Sequence, residues 1–96
     1  MSLKILSTPN SDDTFIAIYD FIEVRFGRKA ADKFLDKTEN VVALISEHPL
    51  MYKATSIDSN VRIAIISKQT SLFYRVTETS IHLLYFWDNR RDQMLL

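Results

Sequence analysis

The 96-residue sequence predicts a single α+β domain over residues 1–96, with an N-terminal strand, a hairpin of two helices and an antiparallel sheet that the helices cover. Apolar residues recur at offsets of three and four in the first half of the chain, which is typical of amphipathic helices. After Asn60 they recur at every second position, which is typical of strands. A helical hairpin requires an apolar surface, and one apolar face of a sheet supplies it. The predicted order is therefore β-α-α-β-β-β.

The first strand and helix one occupy the N-terminal part of the chain. Apolar residues between positions 3 and 8 predict a short strand, which Pro9 and Asn10 close. Asn10 or Ser11 is the expected N-cap of helix one, and Gly27, the only glycine, is expected to end it. The stripe of this helix that we expect to face the core consists of Phe15, Ile18, Tyr19, Ile22 and Phe26.

Helix two is predicted from about residue 29 to residue 47, and Pro49 stops it. Three strands follow at residues 61–66, 72–77 and 81–87, joined by short polar turns. Short turns join antiparallel neighbours, so these strands predict a meander. The apolar side of helix two is expected to face this sheet through Ala31, Phe34, Leu35, Thr38, Val41, Val42 and Ile45.

Composition narrows the functional classes. Lys and Arg total 12 and Asp and Glu total 12, so the formal net charge is zero and the chain lacks the strong general attraction for phosphates that nucleic-acid-binding proteins use. There is no cysteine, and His48 and His82 are far apart in sequence, so we expect no disulfide, metal site or cofactor. No segment approaches the ~20 apolar residues of a membrane span, and we expect a cytoplasmic protein with no membrane partner.

Five short segments follow one another at characteristic spacings. They are FGRKAADKF at 26–34, HPLMY at 48–52, NVR at 60–62, FYRV at 73–76 and FWDNRR at 86–91. In this order they resemble the RelE/ParE toxin superfamily, and the last segment resembles the branch often labelled plasmid stabilisation proteins. The resemblance covers nearly the whole chain and implies the same β-α-α-β-β-β fold.

The resemblance also implies a function and a set of partners. Members of this superfamily are the growth-arresting toxins of type II toxin–antitoxin systems, and a cognate antitoxin protein binds and neutralises them. RelE-like members cut messenger RNA on the ribosome, whereas ParE-like members inhibit DNA gyrase and break no bond themselves. The implied partners are thus an antitoxin and either gyrase or the ribosome with its mRNA, in a homodimer or a toxin–antitoxin hetero-oligomer.

Cutting RNA requires a base for the 2′-hydroxyl, cations for the scissile phosphate and an acid for the departing oxygen. The candidate cations are Arg62, Arg75, Arg90 and Arg91, which lie on or just after the predicted strands. The resemblance implies that Arg62 and the terminal pair lie near the concave face that catalytic relatives use. The alternative is structural, with Arg62 paired to a helix carboxylate and Arg90 and Arg91 solvated.

The acid and the base are harder to identify. Catalytic relatives carry a tyrosine or histidine shortly after the final arginine, whereas residues 92–96 contain neither. His82 is a weak candidate base, because it is predicted to share a strand face with Phe86 and packing is the commoner role of such a histidine. Tyr85 is expected to pack in the core, and His48 is a weaker candidate than His82.

These observations favour the ParE-like branch, a toxin that binds a target such as DNA gyrase without chemistry of its own. Arg62, Arg90 and Arg91 are the expected target-binding residues. A RelE-like ribosome-dependent mRNA endoribonuclease is the alternative, and an inactive family member that serves only as an antitoxin-binding scaffold is the third hypothesis.

The antitoxin is expected to fold across the helices and the apolar end of the chain. Exposed apolar segments favour cover by a partner, although this end could equally pack on its own domain. The residues expected to contact the antitoxin are Phe15, Tyr19, Met94, Leu95 and Leu96.

Overall fold

A computed structural model describes residues 2–56 and 58–90 of the chain, and the structural statements below concern those residues. The predicted order β-α-α-β-β-β is confirmed. The elements are β1 (Lys4–Ser7), α1 (Pro9–Phe26), α2 (Arg28–Glu47), β2 (Val61–Ser67), β3 (Thr70–Val76) and β4 (Ser80–Asp88). Neither helix combines the length and the apolar content that crossing a membrane requires.

The strands form one sheet in the order β1-β4-β3-β2. The predicted meander is confirmed, because β2 pairs with β3 and β3 with β4 in antiparallel register. The first strand extends this meander by pairing with β4 in parallel, so the complete sheet is mixed rather than purely antiparallel. A parallel pair needs a long connection between its strands, and the helical hairpin with the meander supplies it.

Helix α1 begins earlier than the sequence suggested. Thr8 is the N-cap, and Pro9 occupies the first helical position, where its missing N–H costs nothing. Ser11 is therefore not the cap: its backbone N–H donates to Thr8 Oγ1 at 3.1 Å, and its side-chain oxygen accepts from the Thr8 N–H at 2.9 Å. This reciprocal capping box satisfies two donors at the helix start.

Gly27 separates the two helices, as predicted. Its φ of 96° lies in the left-handed region that side chains disfavour, and its N–H donates to the Glu23 carbonyl at 2.9 Å. The same residue precedes α2 without a side-chain cap. Arg28 has the wrong sign for a helix start, but its Nε lies 3.5 Å from a carboxylate oxygen of Glu23.

The core lies between the helical hairpin and one face of the sheet. An aromatic cluster joins the layers, with Phe15 stacked on Phe34 at 5.2 Å between ring centroids and set edge-on to Phe86 at 5.4 Å. Tyr74 is completely buried and its hydroxyl donates to the Pro49 carbonyl at 2.9 Å. The fully or nearly fully buried core residues of the sheet are Ala64, Ile66, Leu72, Tyr74, Ile81, Leu83 and Phe86.

A bulge in β4 reverses which residues face the helices. Tyr74 pairs with Leu83 while Phe73 pairs with Tyr85, so Leu84 has no partner in β3. The buried residues are consequently Ile81 and Leu83 before the bulge but Phe86 after it. The prediction that His82 shares a face with Phe86 was wrong, because one extra residue shifts the two-residue alternation by one position. Tyr85 lies outside the helix-facing core for the same reason.

The face of the sheet away from the helices is also apolar. The sequence analysis expected one apolar face, but Ile63, Ile65, Phe73, Tyr85 and Trp87 follow the register onto the second face. The helices contact β1, β2 and β4 from the other side through residues such as Phe86. We call this second surface the outer face.

Candidate functional site

A groove runs between α1 and the C-terminal end of β4. One part of it encloses about 870 Å³ beside β4, and a second part of about 300 Å³ reaches toward α2. The two parts form one continuous surface, because both are lined by Ile18, Phe21, Asp88 and Arg90. This α1–β4 groove is defined by Ile18, Phe21, Arg25, Phe26, Lys33, Lys37, Asp88 and Arg90.

Helix α1 exposes large apolar side chains in and beside this groove. Phe21 is 42% exposed, Phe26 64% and Val24 84%. The prediction that Phe26 faces the core was wrong: it is the last residue of α1, where the chain turns at Gly27. Apolar surface of this extent on one helix is typical of a site that another protein covers.

The ring of Phe21 lies between two guanidinium groups. The Cζ atom of Arg90 is 5.0 Å from the ring centroid and that of Arg25 is 5.8 Å away, both within the range of cation–π attraction. Arg90 also donates to both carboxylate oxygens of Asp88, from Nε at 3.0 Å and from Nη2 at 2.8 Å. These hydrogen bonds raise the pKa of Arg90 above its ordinary value, so it is a permanent cation held at the centre of the groove.

Arg62 forms hydrogen bonds within the protein itself. Its Nη1 donates to the Tyr52 carbonyl at 2.6 Å and to the Leu50 carbonyl at 3.4 Å, and its Nε is buried without a partner among the described residues. The structural alternative predicted that Arg62 pairs with a helix carboxylate. That partner is wrong, since Arg62 bonds the loop after α2 instead. Together with Tyr74, which bonds Pro49, it fixes that loop against the sheet.

Arg75 forms an ion pair with the loop before β2. Its Nη1 lies 2.9 Å from Asp58 Oδ2, and both side chains are more than a third exposed. Asp58 also accepts from the Asn60 N–H at 2.9 Å. The Asn60 N–H and, after it, Arg75 hold the pKa of Asp58 below its ordinary value. Arg75 is opposite His82 in the sheet, so these two residues adjoin on the outer face.

His82 and Tyr85 are held by other contacts than those the sequence suggested. His82 Nε2 is 3.1 Å from Ser80 Oγ, within hydrogen-bond distance. Tyr85 stacks on Phe73 at 4.6 Å between ring centroids with an angle of 17° between the planes. His48 is exposed at the C-cap of α2, and it lies far from both residues along the sequence. The described residues contain no group of three metal-ligating side chains.

The residues expected to contact the antitoxin fall into two sets. Phe15 is half-buried in the aromatic cluster, and the Tyr19 hydroxyl donates to Asp32 Oδ1 at 2.7 Å, which raises the pKa of Tyr19. Arg91 and residues 94–96 lie outside the described residues, and the predictions for Arg91, Met94, Leu95 and Leu96 stay predictions.

Comparison with known proteins adds to this geometry. The family model described as "ParE toxin of type II toxin-antitoxin system, parDE" matches residues 5–93, nearly the whole chain. The chain belongs to the ParE toxin family. It is thus a toxin component of a toxin–antitoxin system, as the resemblance in its sequence implied. No curated protein matched the chain.

Three solved structures are similar to this chain in fold. The chromosomal ParDE toxin–antitoxin system from P. aeruginosa matches with a TM-score of 0.76 at 20% identity, covering 91% of this chain and 96% of that one. The E. coli DinJ-YafQ toxin–antitoxin complex matches at 0.65 and 10% identity, over 95% and 97% of the two chains. The YoeB dimer from Staphylococcus aureus matches at 0.62 and 15% identity, over 88% and 94%. At these identities the similarity shows a shared fold.

Sequence reasoning missed the apolar side of the groove in this ParE-family chain. Phe21 and Val24 were outside the predicted stripe of α1, and Phe26 was assigned to the core. A signal was present, because α1 has more large apolar residues than one stripe accommodates. What the sequence could not show was that the end of β4 lies beside α1, and therefore that Arg90 lies over Phe21.

Proposed function

We propose that this ParE-family toxin arrests growth by binding a protein target, DNA gyrase, and that a cognate antitoxin neutralises it by occupying the α1–β4 groove. The observation that carries the first part is that all three arginines expected to serve RNA cleavage, within the described residues, are engaged by the protein itself. Arg62 bonds backbone carbonyls, Arg75 pairs with Asp58, and Arg90 chelates Asp88.

RNA cleavage makes demands that this arrangement does not meet well. A scissile phosphate needs cations directed at it, but each of these guanidinium groups already directs at least one donor toward a carbonyl or a carboxylate. The groups also point in different directions, since Arg62 is opposite the buried Tyr74 and Arg90 lies over Phe21 on α1. A protein partner needs apolar surface rather than converging cations, and such surface is exposed.

The charge of the α1–β4 groove supports an antitoxin segment as its occupant. Among the described residues, four cations line it, namely Arg25, Lys33, Lys37 and Arg90, against the one carboxylate of Asp88, which Arg90 already pairs. Exposed Phe21 and Phe26 supply apolar anchoring surface between these cations. The groove therefore fits an amphipathic segment with apolar anchors and acidic flanks, a common form of segment that folds on binding.

The target is tested by adding purified toxin to gyrase in a DNA supercoiling reaction. We expect supercoiling to stop at a toxin concentration comparable to that of the enzyme, and to resume when the antitoxin is added first. A toxin that arrests cells but leaves gyrase active contradicts this target. A chain that neither arrests cells nor inhibits gyrase matches the hypothesis of an inactive scaffold.

One observation favours the alternative of a ribosome-dependent endoribonuclease. His82 and Arg75 adjoin on the outer face, where a base and a cation could serve one phosphate. Primer extension on mRNA from cells expressing the toxin tests this alternative. Codon-dependent cleavage within minutes, lost in His82→Ala but retained in the matched exposed variant His48→Ala, would establish it.

A further inference from the structure

The outer face departs from the usual design of an antiparallel sheet. A sheet with helices on one side normally alternates apolar residues toward the core with polar residues toward water. Here the shallow depression on the second side is lined by Ile63, Phe73, Tyr85 and Trp87 with only Ser71 and Asn89 between them. At its rim, Ile65 is 52% exposed. No described helix or loop residue lines this depression apart from Asn89, just beyond β4.

The polar residues of the depression are already satisfied. Ser71 Oγ donates to Asn89 Oδ1 at 3.0 Å, and the Asn89 N–H donates to the Gln69 carbonyl at 2.7 Å. The Asn89 side-chain amide is also 3.4 Å from the Lys68 carbonyl. Because these polar groups bond one another or the backbone, a partner needs to supply few new hydrogen bonds to this surface. What it offers a partner is the area of its apolar side chains.

We propose that the outer face binds an uncharged, apolar segment of the toxin's protein target, an inference that rests on the proposed function. The described lining residues carry no charge, and Arg75 is turned to Asp58 at the far end of the face. A nucleic acid requires cations along its phosphates, even where its bases stack on aromatic rings. An apolar protein segment requires none, and the stacked pair of Phe73 and Tyr85 gives it a rigid platform.

The size of the face favours one segment of a target over a second copy of this chain. Three strands about 4.8 Å apart, carrying two or three outward residues each, present a footprint on the order of 200 Å². A stable dimer interface buries about 800 Å² on each partner. The footprint therefore suits a loop or a single helical turn that inserts an apolar anchor, as binding hot spots do.

Two variants test this surface against a matched control. Ile65→Lys places a charge at the exposed rim, and Phe73→Ala removes half of the stacked platform. Leu50→Lys introduces the same charge at a residue that is 63% exposed on the loop after α2, outside the outer face. Each variant is measured for growth arrest on induction, inhibition of gyrase supercoiling, and binding to the antitoxin. Circular dichroism shows whether each variant is folded. If Phe73→Ala does not fold, Ile65→Lys alone decides the test.

We expect Ile65→Lys and Phe73→Ala to lose growth arrest and gyrase inhibition roughly tenfold or more, the loss typical of a disrupted hot spot, with antitoxin binding within about twofold. Leu50→Lys should retain all three activities.

Full potency of a folded Ile65→Lys overturns the proposal, as does loss of antitoxin binding in that variant. If wild-type toxin arrests growth without inhibiting gyrase, the proposed target fails, but the growth-arrest comparison still tests the outer face. If wild type cleaves mRNA and Ile65→Lys abolishes cleavage, the face binds RNA and the assignment to a protein segment is wrong.

Discussion

The two faces of the sheet carry similar apolar side chains in different surroundings. On the inner face, Phe86 is 5% exposed and packs edge-on to Phe15 of α1. On the outer face, its neighbour Tyr85 stacks on Phe73 of the next strand. The contrast shows that adjacent residues of one strand have different environments: the inner side chain is packed between sheet and helices, while the outer one is only partly covered by the described residues.

The largest expected effect lies on the inner face. Phe86→Ala removes a nearly buried ring from the aromatic cluster and should lower the free energy of unfolding by about 3–5 kcal/mol, because the cavity cannot close completely. Urea denaturation measures this change. Tyr85→Ala, one position along, is the matched control and should cost clearly less. Equal losses would show that the outer face contributes as much to the fold as the inner face does.

A smaller effect is expected where the inner face meets the loop after α2. Arg62→Met deletes the donors to the Tyr52 and Leu50 carbonyls and should cost about 1–3 kcal/mol, as hydrogen bonds from charged groups usually do. Arg75→Met is the control on the outer face, where an exposed ion pair should contribute about 1 kcal/mol or less. If the two variants are equally stable in urea, the clamp on the loop is not a stabilising feature.

On the outer face itself, stability should depend less on substitution than on the inner face. Phe73→Leu keeps an apolar side chain but removes the stacked pair with Tyr85, which should cost about 0.5–1.5 kcal/mol. Ile65→Thr, at the exposed rim, should stay within about 0.5 kcal/mol of wild type. Thermal denaturation of both variants gives the answer, and a loss above about 3 kcal/mol in either would mean that the outer face belongs to the core.

The smallest effect is a dependence on pH at the end of the outer face. The folded protein holds the pKa of Asp58 below its ordinary value of 3.8, mainly through the Asn60 N–H and then through Arg75. A depressed carboxyl pKa contributes stability that is present above the ordinary value and is lost as the pH falls through the folded value. Melting temperatures between about pH 5 and about pH 2 should therefore fall slightly more steeply for wild type than for Asp58→Asn. Parallel curves would contradict this contribution.

Several parts of the fold could be predicted from local signals. The order of elements follows from the change in apolar period near Asn60, and the end of α1 follows from Gly27, whose φ of 96° other residues disfavour. The start of α1 was misplaced because Thr8, Asn10 and Ser11 are all of residue types that cap helices, and the capping box between Thr8 and Ser11 decides among them. The candidate site was predicted less well. Arg90 was named as a target-binding residue, which stays a prediction, and Phe21 beneath it was not named.

The roles of individual strand residues depended on a feature that the sequence did not reveal. The bulge at Leu84 in β4 exchanged the positions of Tyr85 and Phe86 relative to simple alternation. Thr8 Oγ1 donates to the carbonyls of Leu83 and Leu84 at 2.8 and 3.1 Å, so the bulge is bonded from the start of α1, more than 70 positions away. A local pattern contains no record of such a contact.

By itself, the sequence determined the class of this protein: the periodicities specify two helices and a meander, and the ordered segments resemble the ParE family to which the chain belongs. Tertiary structure alone decided what the arginines contact and which side chains remain exposed. Arg62 and Arg90 look alike in sequence, yet one bonds a loop and the other covers a phenylalanine in a groove. The physical reason is that periodicity depends on near neighbours along the chain, whereas the environment of a side chain depends on elements that the fold brings together from distant positions.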